Sequence, residues 1–204
     1  RKTTIIFYKM LLKDLIDNER TDKDTRHSYL PVYQSLFDSK KDSAKNILEI
    51  GIGPFEHCNG ASIKLWYDFF PNAQIYGIDI NPYEMVWEAV KNKERITLYT
   101  STDGYKESWF QRTFLQPNVK LDIAIDDGPH TLDSMIQFIE LYSQVMKEDG
   151  IMVIEDVQDI VWVDVLKEYV PEHMKKYIEI YDLRDKKDVY DDIMFVINMS
   201  KRIE

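Results

Sequence analysis

From Lys45 onward, short apolar runs alternate with longer stretches of helical spacing. Asn46–Ile50, Gln74–Ile78, Arg95–Thr100, Lys120–Ile125 and Gly150–Ile154 are five or six residues each. Runs this short and this apolar read as strands buried on both faces of a parallel sheet. Between them, Ala61–Phe70, a segment opening at Pro82, Lys106–Leu115 and Leu132–Met146 carry helical periodicity. Pro71-Asn72 closes the first of these, and Pro82 stands where a helix start tolerates proline. Strand and helix in strict alternation predict an α/β chain with a Rossmann-like, doubly wound sheet. The end breaks the pattern. Tyr177–Leu183 and Ile193–Met199 are strand-like, and the charged stretch Arg184–Asp192 between them leaves no room for a helix. The mostly parallel sheet should therefore finish in an antiparallel hairpin. Upstream, residues 4–18 show helical spacing, Asp17–Arg26 is polar, and Pro31–Phe37 reads as a short apolar helix. No repeat, low-complexity tract or Gly/Pro-rich linker interrupts the 204 residues, a length that suits one domain. Within it, residues 1–40 form an N-terminal helical segment and 41–204 the α/β unit.

Charge narrows the choice of partner. Acidic residues outnumber basic ones 36 to 26, for a net charge of −10, which argues against a nucleic-acid backbone as the main partner. The single cysteine, Cys58, cannot form an internal disulfide, and this fits a reducing, cytoplasmic setting. No apolar run approaches the roughly 18 residues of a membrane-spanning helix. The start, Arg1-Lys2-Thr3-Thr4, has no initiator Met, and Lys9 and Lys13 interrupt Ile5–Leu15, so it is no signal peptide. The expectation is a piece of a longer protein.

In an open α/β sheet, ligands bind at the carboxyl ends of the strands, so the residues at those ends carry the chemistry. The first strand ends in Glu49-Ile50-Gly51-Ile52-Gly53. Its glycines allow a sharp turn and close approach to a ligand, but Pro54 intervenes and the third glycine of the dinucleotide motif is missing. The second ends in Asp79, a carboxylate placed to accept both hydroxyls of a ribose; the alternative is a helix cap. The two signals together favour an adenosyl ligand. The fourth ends in Asp126-Asp127-Gly128-Pro129-His130 and the fifth in Glu155-Asp156. Four carboxylates gathered at neighbouring strand tips repel one another. Mg²⁺ or Mn²⁺, which prefer oxygen ligands, would relieve the repulsion. His130 would then act as a general base, a histidine having an ordinary pKa near 6.5. The alternative is that these residues cap the helices that follow. His57 and Cys58 have no partners for a zinc site, His173 lies in a lysine-rich surface stretch, and no nucleophile elbow is present.

The strings Asn46-Ile-Leu-Glu-Ile-Gly51, Gly60-Ala-Ser-Ile-Lys-Leu-Trp66, Pro71-Asn-Ala-Gln-Ile-Tyr-Gly-Ile-Asp79, Asp126-Asp-Gly-Pro-His130 and Val153-Ile-Glu-Asp156 resemble the metal-dependent macrolide-sugar O-methyltransferases. Thr21-Asp-Lys-Asp-Thr-Arg-His-Ser-Tyr29 is similar to the segment preceding that family's cofactor domain. The resemblance spans roughly residues 21–160. It implies a class I fold binding S-adenosyl-L-methionine (SAM), with Glu49, Gly51, Gly53, Ser62, Asp79, Ile80, Ser101, Thr102 and Asp126 toward the cofactor. It also implies metal ligation by Asp127, Glu155 and Asp156, and catalysis by His130 and Asp127. Two adjacent aspartates leave the register open, so Asp126 is the alternative ligand to Asp127. Departures fall in the loop Pro54–Asn59, at Gly60-Ala61-Ser62 and at Thr100-Ser-Thr-Asp103.

The implied reaction is metal-assisted methylation of a sugar hydroxyl, with a deoxysugar such as rhamnose in a glycan as acceptor. The segment 1–40 would face that acceptor. Fusion to glycosyltransferase domains, a homo-oligomer, and a host-cell cytoplasm in the case of a virus are further expectations. Two other readings stay open: a catechol-type or small-phenol O-methyltransferase, and a catalytically silent SAM-fold module.

Overall fold

The structure is a computed structural model that describes residues 10–53 and 59–201. Seven strands form one sheet: β1 (Asn46–Ile50), β2 (Gln74–Ile78), β3 (Ile96–Tyr99), β4 (Leu121–Asp126), β5 (Met146–Ile154), β6 (Ile178–Asp182) and β7 (Ile193–Asn198). Their order is β3-β2-β1-β4-β5-β7-β6. The first five are parallel, while β7 runs antiparallel between β5 and β6. The terminal hairpin therefore extends the sheet beyond β5, with β7 inside and β6 at the edge. The helices are α1 (Leu30–Phe37), α2 (Ala61–Phe69), α3 (Glu107–Phe110), α4 (Leu132–Tyr142), α5 (Trp162–Tyr169), α6 (Glu172–Lys175) and α7 (Arg184–Lys187).

Strand alternation sorts the core into two layers. Ile47, Ile75, Ile123, Ile125 and Val153 face α1 and α2, where Tyr33, Phe37, Trp66 and Phe70 fill the space. Leu48, Ile78, Ala124, Met152 and Ile154 face the other way, toward Phe110, Phe114, Phe138 and Tyr142. Burial on both sides is why these strands read as apolar runs. Arg95 fixes one corner: its guanidinium donates to the carbonyls of Tyr67, Phe70 and Ala73 at 2.7–3.0 Å and lies over the Tyr67 ring. Three carbonyls at the end of α2 thus share one charged donor. Arg95→Met should lower the free energy of unfolding by about 2–3 kcal/mol, measured by urea titration. A loss below about 0.5 kcal/mol, the range of ordinary surface changes, would mean that water replaces the guanidinium.

Three local expectations need correction. The Pro82 segment holds a single 3-10 turn, Tyr83–Met85, and then an extended Val86. Asn59 explains this: it pairs with Met85 and Trp87 through the backbone, bridging Asn59 to Val86 and drawing off the hydrogen bonds a helix needs. The 4–18 helix, where described, is one 3-10 turn at Leu12–Asp14 after an extended Leu11, with the Leu12 amide held by the Gln34 side chain. The Arg184–Asp192 connection does hold one helical turn, α7, ended by Asp188 in a left-handed conformation.

Candidate active site at the carboxyl ends of the strands

Strand order reverses between β1 and β4, the place where such sheets open a crevice for ligands. In register, Ile50 pairs with Ile78 and Asp126, and Asp126 pairs with Ile154. The next residue of each strand, Gly51, Asp79, Asp127 and Glu155, therefore lies in one row across four strand tips. Gly51 is left-handed (φ 79°), and a Cβ there would fall on the Asp127 carbonyl, so the passage of β4 past β1 requires glycine.

A cleft of about 990 Å³ runs along this row. One end is walled by Gly51, Gly53, Asp79, Ile80 and Thr102, the other by Asp127, His130, Asp156, Gln158 and Tyr190. Asp79 accepts hydrogen bonds from the Ile52 amide (2.9 Å) and the Asn81 amide (2.7 Å), one on each oxygen. It thereby ties the β1 turn to the β2 turn, and each oxygen keeps a lone pair for a ligand hydroxyl. Ile80 is 75% exposed, an apolar surface open to the cleft. Ser62 and Gly53 line a smaller adjoining cavity. Glu49, Ser101 and Asp126 do not line the cleft. Glu49 is buried beneath it and accepts from Trp66 Nε1 at 3.0 Å, Ser101 lies outside it, and Asp126 is buried under Tyr105, whose hydroxyl it accepts. His57, Cys58 and most of the loop Pro54–Asn59 lie outside the described residues. His173 is exposed on α6.

Adjacent residues at a strand tip point to opposite sides of the sheet. That separates the two aspartates: Asp126 enters the Tyr105 side and Asp127 turns to the cleft. There His130 Nε2 stands 3.9 Å from Asp127 Oδ1 and 3.5 Å from Asp156 Oδ2. Among the described residues, these three form the group whose ligand atoms all lie within 4.8 Å of one another. His130 (φ 54°) and Asp156 (φ 53°) both have left-handed backbones, a sparsely populated state for such residues that concentrates at functional sites. His130 does not cap α4. Thr131 does, in a capping box with Ser134, which leaves the imidazole to the cleft.

The segment before α1 adds groups that sequence reasoning missed. Lys23 is buried, and its Nζ donates to Asp127 Oδ2 at 2.8 Å and lies 2.7 Å from both oxygens of Glu155. Glu49 Oε1 stands 3.4 Å away. Tyr33 donates its hydroxyl to Glu155, and Tyr29 donates to Asp156 Oδ1 at 2.5 Å. His27 stacks on Tyr29 and faces Asp156 and Asp192 with Nδ1. The available signal was the string Thr21–Tyr29, similar to the segment ahead of the family's cofactor domain, which carries Lys23, His27 and Tyr29 directly before an apolar helix.

One ammonium cannot neutralise this many carboxylates. Burial, which opposes a charged lysine, is outweighed by Asp127, Glu155 and Glu49, and the Lys23 pKa is held well above its usual value. Burial pushes Glu49 up to about 7 against the pull of Lys23, and raises Glu155 and Asp156, which Asp127 raises further. Burial and mutual repulsion thus both disfavour the ionised carboxylates. The free oxygens facing the cleft, Asp127 Oδ1 and Asp156 Oδ2, are hard donors, so the chemistry of the site fits a divalent cation.

No family model matches the chain. It is 30% identical over 139 residues to mycinamicin VI 2''-O-methyltransferase from Micromonospora griseorubida, an alignment covering 67% of this chain and 33% of the relative. It is 29% identical over 134 residues to the 8-demethyl-8-(2-methoxy-alpha-L-rhamnosyl)-tetracenomycin-C 3'-O-methyltransferase of Streptomyces olivaceus, covering 64% and 32%. The match thus spans about a third of the length of these curated relatives. Among solved structures, the methyltransferase MycE of mycinamycin biosynthesis, in complex with Mg and SAH, superposes with a TM-score of 0.72 at 22% identity, covering 94% of this chain and 54% of that one. The fold is that of SAM-dependent methyltransferases. No helix among the described residues is long and apolar enough to cross a membrane.

Proposed function

We propose that this chain, built on the class I methyltransferase fold of its relatives, is the catalytic part of a metal-assisted, SAM-dependent sugar O-methyltransferase. The observation that carries the reading is the single cleft joining the Asp79 wall to the Asp127–His130–Asp156 group. A donor and an acceptor would meet there at the distance a direct transfer needs. The named substrates of the relatives support a glycosidic deoxysugar as the acceptor.

SAM would supply a methyl on a positive sulfur, and a divalent cation would lower the pKa of an acceptor hydroxyl and orient its neighbour. The chain's own residues do the rest. Gly51 and Gly53 let the backbone approach the cofactor, with Ser62 and Thr102 at its margins, Ile80 packs on its base, and Asp79 accepts from its ribose. Of the carboxylates Asp127, Glu155 and Asp156, the first and last have an oxygen turned to the cation's place. His130 Nε2 takes the acceptor proton as the oxygen–methyl bond forms and the methyl–sulfur bond breaks, giving the methyl ether and SAH. Glu49 and Asp126 act from behind the wall, and Ser101 stands outside it. The described part of the N-terminal segment, residues 10–40, would close the acceptor side and the α/β unit would carry the cofactor; a cytoplasmic setting belongs to the same proposal.

The test is transfer of labelled methyl from SAM to a panel of free and glycosidic deoxysugars, with catechol as comparison. Ether formation on a sugar supports the reading. Transfer to catechol alone, or SAM binding without any transfer, overturns it. Asp79→Ala should weaken SAM binding tenfold to a hundredfold in calorimetry, about 1.4–2.8 kcal/mol, because it removes both ribose acceptors and unties the two turns. Unchanged affinity would place the cofactor elsewhere.

A further inference from the structure

Beside the reacting groups, the acceptor end of the cleft presents the ring of Tyr190. This residue lies on the β6–β7 connection, is 62% exposed, and belongs to neither layer of the core. Its place is nevertheless fixed. The hydroxyl donates to Gln158 Oε1 at 2.7 Å, and Gln158 Nε2 donates to the Asp156 carbonyl at 3.1 Å and to Asp191 Oδ2 at 3.3 Å. The ring therefore stands two hydrogen bonds from Asp156. The backbone around it is tied down on both sides. Before it, Lys187 Nζ donates to the carbonyls of Asp24 and His27 at 2.5 and 2.6 Å, and after it, Asp192 Oδ1 accepts from the Ser28 amide at 3.1 Å. Ordering a large ring in water costs entropy and gains no apolar burial within the chain itself. Such a ring suits a surface held ready for a ligand.

We infer that Tyr190 is the platform on which the acceptor sugar lies, a specificity-determining residue whose ring packs against the C–H face of a pyranose while a hydroxyl of that sugar reaches His130. This rests on the sugar-methylating reading above and deepens it. A pyranose is amphipathic: its hydroxyls point outward from the rim, and its ring hydrogens form apolar patches. A deoxysugar has one hydroxyl fewer and is more apolar still. Laying such a patch on an aromatic face removes apolar area from water. A tyrosine pinned beforehand loses little freedom when it does so. Its neighbours at that end of the cleft, Asp127, His130, Asp156 and Gln158, are polar and suited to the hydroxyls. The apolar half of recognition falls to Tyr190, and the bond to Gln158 satisfies its hydroxyl while leaving the ring face free.

The test uses the whole protein with Mg²⁺ and methyl α-L-rhamnoside. Binding is read by saturation-transfer NMR in the presence of SAH, and turnover by transfer of labelled methyl from SAM. Tyr190→Ala should weaken rhamnoside binding and raise its KM at least about tenfold, the usual effect of truncating an aromatic anchor. Because the ring touches the acceptor and not the reacting atoms, kcat should change less than about threefold, with KM for SAM unchanged. Tyr190→Phe keeps the face and loses only the tether, so it should stay within about threefold of the parent in rhamnoside affinity. Melting curves of the three proteins should superpose, since the side chain is exposed. Equal losses in Tyr190→Phe and Tyr190→Ala would assign the effect to the hydroxyl and overturn the platform, as would a loss confined to kcat. Parental affinity and KM in Tyr190→Ala overturn the inference, while methyl transfer by the parent leaves the sugar-methylating reading in place. A parent that neither binds nor methylates the rhamnoside or any other deoxysugar overturns both.

Discussion

Methyl transfer should fall at least about a hundredfold when divalent cations are removed with EDTA, and return on addition of Mg²⁺ or Mn²⁺. The size follows from what the cation is asked to do. Activating a sugar hydroxyl at neutral pH and stabilising the charge that develops on its oxygen takes several kcal/mol, and each tenfold in rate is about 1.36 kcal/mol. Lys23 does not supply that charge, because it is spent on Glu155 and on the rear oxygen of Asp127. SAM binding should persist in EDTA, since the Asp79 wall lies at the other end of the cleft. Loss of SAM binding together with activity would mean that the cation organises the whole site. Full activity in metal-free buffer would leave a mechanism of general base alone.

His130→Ala should lower the rate by about 10²–10⁴, the usual contribution of a placed general base, or about 3–5 kcal/mol of transition-state stabilisation. SAM affinity should barely change, and so should Mn²⁺ affinity, because Asp127 and Asp156 remain. A tenfold loss of Mn²⁺ affinity would make the imidazole a third ligand, which its 3.5–3.9 Å spacing to the two carboxylates also permits. A variant that keeps more than about a tenth of parental activity would assign His130 a structural task. Helix capping is already excluded as that task, since Thr131 and Ser134 satisfy the start of α4 between them.

Much of the fold was legible in the chain because its strands are buried on both faces. β1 and β2 coincide with apolar runs whose bounds could be read directly, and the strand tips at Asp79 and Glu155 followed from where those runs stop, while the fourth run stopped at Ile125 and left Asp126 and Asp127 open. Errors fell where a distant partner competes for the backbone. Asn59 draws Met85–Trp87 out of the helix that Pro82 seemed to begin, and Gln34 takes the Leu12 amide. Neither bond has a local trace, since periodicity reports which positions are buried and not which groups meet.

The same limit applies to the site. By itself the sequence determined which residue types stand at the strand ends: glycines after β1, one acid after β2, and carboxylates with a histidine after β4 and β5. Local chemistry suffices for that, because a strand tip is a local feature. Which oxygen of which carboxylate faces the cleft was decided by the tertiary structure alone. Strand alternation and sheet register send Asp126 to Tyr105 and Asp127 to the cleft. Lys23 reaches across 104 and 132 residues of chain to hold Asp127 and Glu155 from behind. Electrostatic pairing in a buried cluster acts through space, at distances set by packing, so only the folded chain decides which charges face each other.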